Sequence, residues 1–431
     1  MIAFFTVQLN FIYWGCLYNT QNQVCRNMTV RNILVDSLKQ TPLELQKLEI
    51  VERKGLGHPD TICDRIMDRI SVKLSQEYIK KTGAILHHNV DKSLLAAGES
   101  ETRFGGGKFK KPMLLIIGDR ATFEIDDAEI PVEDIAIKTA KEWFKTCLRF
   151  VDPEKNVRFQ VELKPGHPEL MDIFKRKGKV LGANDTSATV GYAPMTRTEQ
   201  IVLKSENYVN SPEFKKRFPE SGEDVKVMGF RKNNDLRLTM AMALVDRYVK
   251  SEDDYFKKKA ALHEEVSRFV KENTNFEKAQ VDLNTLDVKG RGIEGVYITV
   301  SGTSAEAGDS GQVGRGNRTN GVIPLNRPYS SEAAAGKNPV SHVGKIYNTL
   351  THKIANEIYN NVSGIEEVYI WLLSQIGNPI DQPAIAAAQV VMKGNNSFDN
   401  VKKEIEEVVN KELENIDKFT SDLALGKIPI C

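Results

Sequence analysis

"PVSHVGKIYNTLTHKIANEIY", Pro339 to Tyr359, is followed at Glu366 by "EEVYIWLLSQIG", and together they set the pattern on which this chain is built. In the first stretch Val343, Ile346, Tyr347, Leu350 and Ile354 fall three or four residues apart. That is the apolar stripe of a helix laid on a core. The second stretch is a short apolar run closed by Gly377, which reads as a strand.

The same alternation extends outward from there. "TICDRIMDRISVKLSQEYIKKTG" predicts a helix with Ile62, Ile66, Ile70 and Leu74 on one stripe and Gly83 as its stop. "KPMLLIIGDRATFEI" reads as strand, and "PVEDIAIKTAKEWFKTCL" as a helix with Pro131 in its first turn. "DLRLTMAMALV" alternates from Leu236 to Met242 as strands do, and a charged helix follows near Glu252 to Glu272. "EGVYITVSGT", from Glu294, reads as a further strand, and a final amphipathic helix begins near Phe398. Strand pairs followed by long helices recur about three times along the chain. The expectation is an α+β fold of three similar α/β subdomains, each a mixed sheet covered by helices.

The chain has 431 residues, with 59 Lys plus Arg against 58 Asp plus Glu, for a net charge of +1. That balance argues against a nucleic-acid or anionic-membrane partner, so local clusters must carry any anion binding. The five cysteines, at 16, 25, 63, 147 and 431, form no CxxC pair and no zinc spacing, which fits a reduced, cytoplasmic protein. No apolar run reaches the length of about 18 that a membrane span needs. Residues 1–27 lack a basic start and make a poor signal peptide. They read as an upstream extension or a disordered arm ahead of a start at Met28, and residues 28–431 as one module of three intertwined subdomains with boundaries near 150 and 290.

Three stretches carry chemistry. "ERKGLGHPD", Glu52 to Asp60, runs into the helix near Thr61, and free N–H groups at a helix start suit phosphate. His58 and Asp60 sit at that entry. Asp60 reads as a helix cap or as a Mg2+ ligand, since hard cations take carboxylate oxygen; His58 reads as a surface histidine or as a contact to a charged leaving group. "GTSAEAGDSGQVGRGNR", Gly302 to Arg318, has neither Walker nor dinucleotide spacing. Its glycines, among them Gly311 and Gly314, admit close backbone approach, Arg315 and Arg318 offer planar forks, and Asp309 is a spare carboxylate. Lys337 then falls just before Pro339, with His342 and Lys345 in the first turns of the next helix. "RFGGGKFKK", Arg103 to Lys111, reads as a basic lid or as a plain hairpin tip. Two basic helix entries suit a long anion, which points to Mg2+-nucleotide chemistry without a P-loop.

At these motifs the sequence resembles archaeal-type S-adenosylmethionine synthetases. "VERKGLGHPDTICD", "ILHHNVD", "LGANDTSATVGYAP", "GEDVKVMGFR", "TVSGTSAEAGDSGQVGRGNRTNGVIPLNRP", "AAAGKNPVSHVGKIYN" and "LSQIGNPIDQP" resemble family blocks in family order, from about Met28 to the end. The resemblance implies attack of methionine sulfur on C5′ of ATP, loss of triphosphate, and its hydrolysis to pyrophosphate and phosphate. It implies Mg2+, commonly with K+, and a homodimer or homotetramer with active sites at the interface and pseudo-threefold subdomains. By the same resemblance His58 lies near the breaking bond and Asp60 and Asp309 serve metal. Arg315, Lys337 and Lys345 hold polyphosphate, and Asp185 helps bind substrate. The segment that contacts ATP is "KPGHPEL", with Lys164, Gly166, His167 and Glu169, where family members usually read GxGSxDL. Ala188 and Ser310 also depart from the usual pattern. Two other readings fit the same residues: a Mg2+-dependent nucleotide or polyphosphate hydrolase, and a non-catalytic ATP-binding partner.

Overall fold

Helices and strands alternate along the computed structural model, which describes residues 31–430 apart from 126–127, 177–178 and 395. The expectation for residues 1–27 lies outside the described residues. The long helices are α1 (Pro59–Thr82), α2 (Val132–Cys147), α3 (Arg197–Val209), α4 (Glu252–Glu272), α5 (Val343–Asn361) and α6 (Phe398–Glu414). Several begin or end for a local reason. At α1, His58 caps the first turn, Pro59 takes the first helical position, and Gly83 closes the helix at φ +75°. α3 carries a complete capping box between Thr196 and Glu199.

The strands form three principal sheets. The first runs Ile33–Ser37, Ile385–Met392, Ile365–Leu373, Ala188–Ala193, so its strands come from both ends and the middle of the chain. The second is centred on the parallel pair Met113–Ala121 and Val157–Lys164, flanked by His88–Asn89 and Leu94–Ala96, with Gly311–Gln312 at the far edge. The third runs Lys278–Leu283, Asp235–Val245, Ser221–Lys232, Leu48–Lys54, Ile323–Pro324. The α+β class holds. One continuous core joins α1, α2, α5 and the first two sheets, and a second lies between the third sheet, α3 and α4.

Two expectations need correction, and one pair of alternatives is decided. "EGVYITVSGT" pairs only at Ile298–Thr299, because the Val300 and Ser301 N–H groups, each 2.6 Å from a Glu306 carboxylate oxygen, are turned out of the ladder. Gly292–Gly295 forms a 3-10 turn ahead of it. α5 starts at Val343 rather than Pro339, so Lys337 is not at its start; Lys337 lies in an extended segment bridged antiparallel to Asn89. "RFGGGKFKK" is a hairpin, Lys108–Lys111 on Glu99–Glu101. Its tip is pinned: the Gly107 N–H donates to the Asp246 carboxylate at 2.7 Å and the Gly105 N–H to the Val249 carbonyl at 2.7 Å.

Candidate active site

The glycine loop after Thr303 lies across the N-terminus of α1, and small residues are what allow it. A Cβ on Gly311 would stand 2.1 Å from the Pro59 carbonyl oxygen, and one on Gly316 would stand 2.1 Å from Asp64 Oδ2. With hydrogen at both positions, the loop donates backbone N–H groups to the helix carboxylates. The Gln312 N–H donates to Asp60 Oδ1 at 2.9 Å and the Gly314 N–H to Asp64 Oδ1 at 2.8 Å. Lys54, at the end of its strand, donates to Asp60 Oδ2 at 2.8 Å and to the Arg315 carbonyl at 2.6 Å. Strand end, helix start and loop are therefore tied at one carboxylate.

His58 is both cap and candidate donor. Its Nδ1 accepts the Asp60 N–H at 3.2 Å. Burial holds the imidazole below its ordinary value, against the opposing pull of Asp60. A neutral ring with Nδ1 accepting carries its proton on Nε2. His342 repeats this arrangement at α5: Nδ1 accepts the Gly344 N–H at 3.2 Å, and burial and then Lys337 push the ring well down. His167 also caps a helix, the short Pro168–Asp172, by accepting the Glu169 N–H at 3.4 Å.

A cleft of about 330 Å3 joins the loop to the segment before α5, lined by Gln312, Arg315, Glu332, Asp91, Lys92 and Lys337 among others. Lys337 donates to Asp91 at 2.5 Å and forms an ion pair with Glu332 at 3.0 Å. Burial alone would raise the Asp91 carboxyl; Lys337 overcomes it and holds the group well below the carboxylate range.

The predicted residues divide by place. Arg315, Gly314 and Lys337 line the same cleft, whereas Asp60 and Gly311 lie beside it, joined to its wall through Gln312. Asp309 is exposed and accepts from Ser304 Oγ at 3.1 Å. Arg318 spends its guanidinium on the Gly314 and Gly316 carbonyls, at 2.9 and 2.6 Å, and so braces the loop from within. Lys345 is buried between α1 and α5, donating to Asp68 at 2.7 Å. Lys164, Gly166, His167 and Glu169 lie along the same sheet end: Arg120 is in register with Lys164 on one side and with Asn89, the bridge partner of Lys337, on the other. Gly166 there packs on His87, leaving no room for a side chain. Asp185 follows Asn184, whose N–H reaches the Ser341 carbonyl beside His342.

Sequence reasoning missed Asp64, Asp91, Asp224 and Glu332. Burial pushes both Asp64 and Asp224 up to about 7, against hydrogen bonds from Gly314 and Ser304 respectively. The spacing of Asp60, Asp64 and Asp68 on one helix face was a usable signal for the first. Pairing between Asp91 and Lys337 leaves no trace in local sequence.

The profile described as S-adenosylmethionine synthetase (AdoMet synthetase) matches residues 31–427. The chain belongs to the S-adenosylmethionine synthetase family. It is 46% identical over 399 residues to an S-adenosylmethionine synthase of Methanothermobacter thermautotrophicus, covering 93% of this chain and 99% of the relative. It is 47% identical over 403 residues to that of Thermococcus onnurineus, with the same coverage. A probable S-adenosylmethionine synthase of Aquifex aeolicus is 46% identical over 391 residues, 89% of this chain and 96% of the relative. A solved S-adenosylmethionine synthetase from Campylobacter jejuni shares the fold at TM-score 0.58 and 16% identity, covering 88% of this chain and 94% of that one. As an S-adenosylmethionine synthetase the chain is an enzyme that joins methionine to the adenosyl group of ATP. The departures at Pro165, His167, Glu169, Ala188 and Ser310 sit within that assignment.

Proposed function

We propose that the cleft between the 311–318 loop and Lys337 holds the triphosphate of ATP while methionine sulfur displaces it. The observation that carries this is the convergence of Arg315 and Lys337 on one cleft, whose Gln312 is hydrogen-bonded at 2.9 Å to Asp60 at the capped start of α1. Sulfur has no proton to lose, so the attack needs no general base. Its lone pair forms the S–C5′ bond, the C5′–O bond breaks, and the electron pair leaves with triphosphate. The demand is for positioning and charge stabilisation. The His58 Nε2–H supplies a donor beside the leaving oxygen, and Arg315 and Lys337 supply fixed positive charge. Lys345, anchored to Asp68 at 2.7 Å, adds a third positive charge that holds the polyphosphate. Lys164, Gly166, His167, Glu169, Asp185 and Arg318 shape the nucleotide-binding surroundings. Triphosphate is then hydrolysed by water in the same place.

Mg2+ suits the donors present. Mg2+ takes one or two protein carboxylates and completes its shell with phosphate and water. Asp60 and Asp309 are carboxylates that both act electrostatically on the His58 ring. They would hold the ion, which would neutralise phosphate charge. No residue set is assigned to K+.

The reading includes a homodimer, or a homotetramer built from it, in the cytoplasm. Its support is the outer face of the third sheet, where Leu48, Phe230 and Leu325 are exposed beside one another and Lys54 continues the same face into the site. No helix among the described residues is long and apolar enough to cross a membrane.

The test is product analysis with ATP, methionine, Mg2+ and K+. Arg315→Met and Lys337→Met should each lower kcat about a hundredfold, the usual loss for one such contact. Asp60→Asn should raise the Mg2+ concentration needed for half-maximal rate about tenfold. Variants with unchanged constants would remove the cleft from the chemistry. A Phe230→Asp variant that stays oligomeric by light scattering would remove the interface from that face.

A further inference from the structure

Behind the active site, α1 turns a second face to α2. Residues Arg65, Asp68 and Arg69 of α1, Trp143 and Cys147 of α2, and Ile430 of the C-terminal tail line a cavity of about 350 Å3. It is separate from the cleft above, which shares none of these residues. Its charge is unusual for a cavity half walled by apolar groups. Arg65 and Arg69 stand one turn apart on the same helix face, and neither is paired with a carboxylate among the described residues. The Arg65 Nε–H is buried without an acceptor there. A buried donor left unpaired costs about 1–3 kcal/mol, so the position calls for an acceptor. Two acids also line the cavity, Asp68, which is committed to Lys345 at 2.7 Å, and Glu142, which is exposed. Burial pushes the Cys147 thiol up while Arg65 and Arg69 oppose it, so the positive field of both arginines reaches across the cavity.

We propose that this cavity binds a small carboxylate with an apolar body, and that its occupancy weakens ATP binding through Asp68 and Lys345. Two guanidinium forks match one carboxylate in geometry and charge. The Trp143 ring and Ile430 match an apolar body. A carboxylate that neutralises Arg65 and Arg69 removes their positive field from beside Asp68, whose charge then acts undiminished on Lys345 and draws the lysine further toward α1. This second half rests on the assignment of Lys345 to ATP; the first half does not.

The test uses the full chain with 4-methylpentanoate as probe, and 4-methylpentanol and inorganic phosphate as comparisons. Trp143 fluorescence is the local reporter, with Trp143→Phe to identify its signal. The expected result is a saturable change with 4-methylpentanoate and none with the alcohol. Arg65→Gln, and independently the exposed Arg69→Gln, should weaken it at least tenfold while leaving basal activity and thermal midpoint near wild type. A change given by phosphate that survives Arg65→Gln would belong to the active-site cleft. A carboxylate signal that is absent, or that survives both arginine variants, overturns the site, including the case in which the chain's own C-terminal carboxylate fills it. In parallel, the ATP KM should rise about threefold with 4-methylpentanoate in wild type and not in Arg65→Gln. Binding with an unchanged KM overturns the coupling and leaves the active-site assignment untouched.

Discussion

Lys337 and Asp91 meet at 2.5 Å across 246 residues of sequence, and both are buried. Removing Lys337 leaves the buried Asp91 only the largely exposed Lys92 at 2.9 Å and the Asn89 amide at 2.8 Å, and breaking such a buried pair costs up to about 3–5 kcal/mol. Lys337→Met should therefore lose both rate and stability, and Lys337→Met with Asp91→Asn should recover stability alone. Urea midpoints beside kcat for the two variants check this. If the double variant recovers rate as well, Lys337 does not touch the triphosphate.

The two duties of His58 are separable. Asn accepts a capping hydrogen bond as well as any residue, whereas Ala costs about 1 kcal/mol at such a position. His58→Asn should keep the thermal midpoint while losing most activity, and His58→Ala should lose both. The folded imidazole lies below its ordinary value, so the unfolded chain takes up the proton first. Stability from this group therefore falls as pH drops below about 6.5, through the window down to the folded value. Activity should fall through the lower end of that window, when Nδ1 protonates and can no longer accept. The acid limb of the kcat profile should be absent from the residual activity of His58→Asn.

Much of this was legible in sequence because it is periodic or local. The stripe from Val343 to Ile354 is a helix because its burial repeats every turn, and the stripe is buried as read. "EGVYITVSGT" failed because a buried carboxylate, Glu306, competes for its N–H groups, and periodicity does not register such a competitor. Lys337 was placed on a helix by proximity to Pro339, yet the Asn89 bridge holds it extended. Arg318 offered a fork for phosphate, but its nearest acceptors are carbonyls of its own loop. Asp224 sits in a strand and takes its significance from Ser304, eighty residues on, which no local pattern reports.

Gly311 provides a steric test. An alanine there would drive its Cβ into the Pro59 carbonyl, so the loop must lift from α1 and the Gln312–Asp60 hydrogen bond must break. Overpacking of this kind costs about 1–3 kcal/mol. At Gly308 a Cβ meets open space, and only φ +95° opposes it, a cost of about 1–2 kcal/mol. Gly311→Ala should raise the ATP KM at least tenfold, whereas Gly308→Ala should lower stability with little effect on KM. Initial-rate kinetics beside thermal melts separate the two.

Asp64 and Asp224 make the protein without ligands sensitive to pH near neutrality. Both carboxyls are raised to about 7 by burial, above the unfolded value near 3.8. Between those values the folded chain holds protons that the unfolded chain has released. The sign follows: stability from these groups is greatest at low pH and declines as pH rises toward 7. Every tenfold difference in proton affinity between the folded and unfolded chain is worth about 1.4 kcal/mol, so the decline should be measurable for either residue alone. Urea midpoints from pH 5 to 8 should fall in wild type by more than in Asp64→Asn or Asp224→Asn, each of which removes one titrating group while keeping its shape. Ligand-free curves that are parallel for wild type and both variants would mean that neither carboxyl is protonated in the folded state at neutral pH.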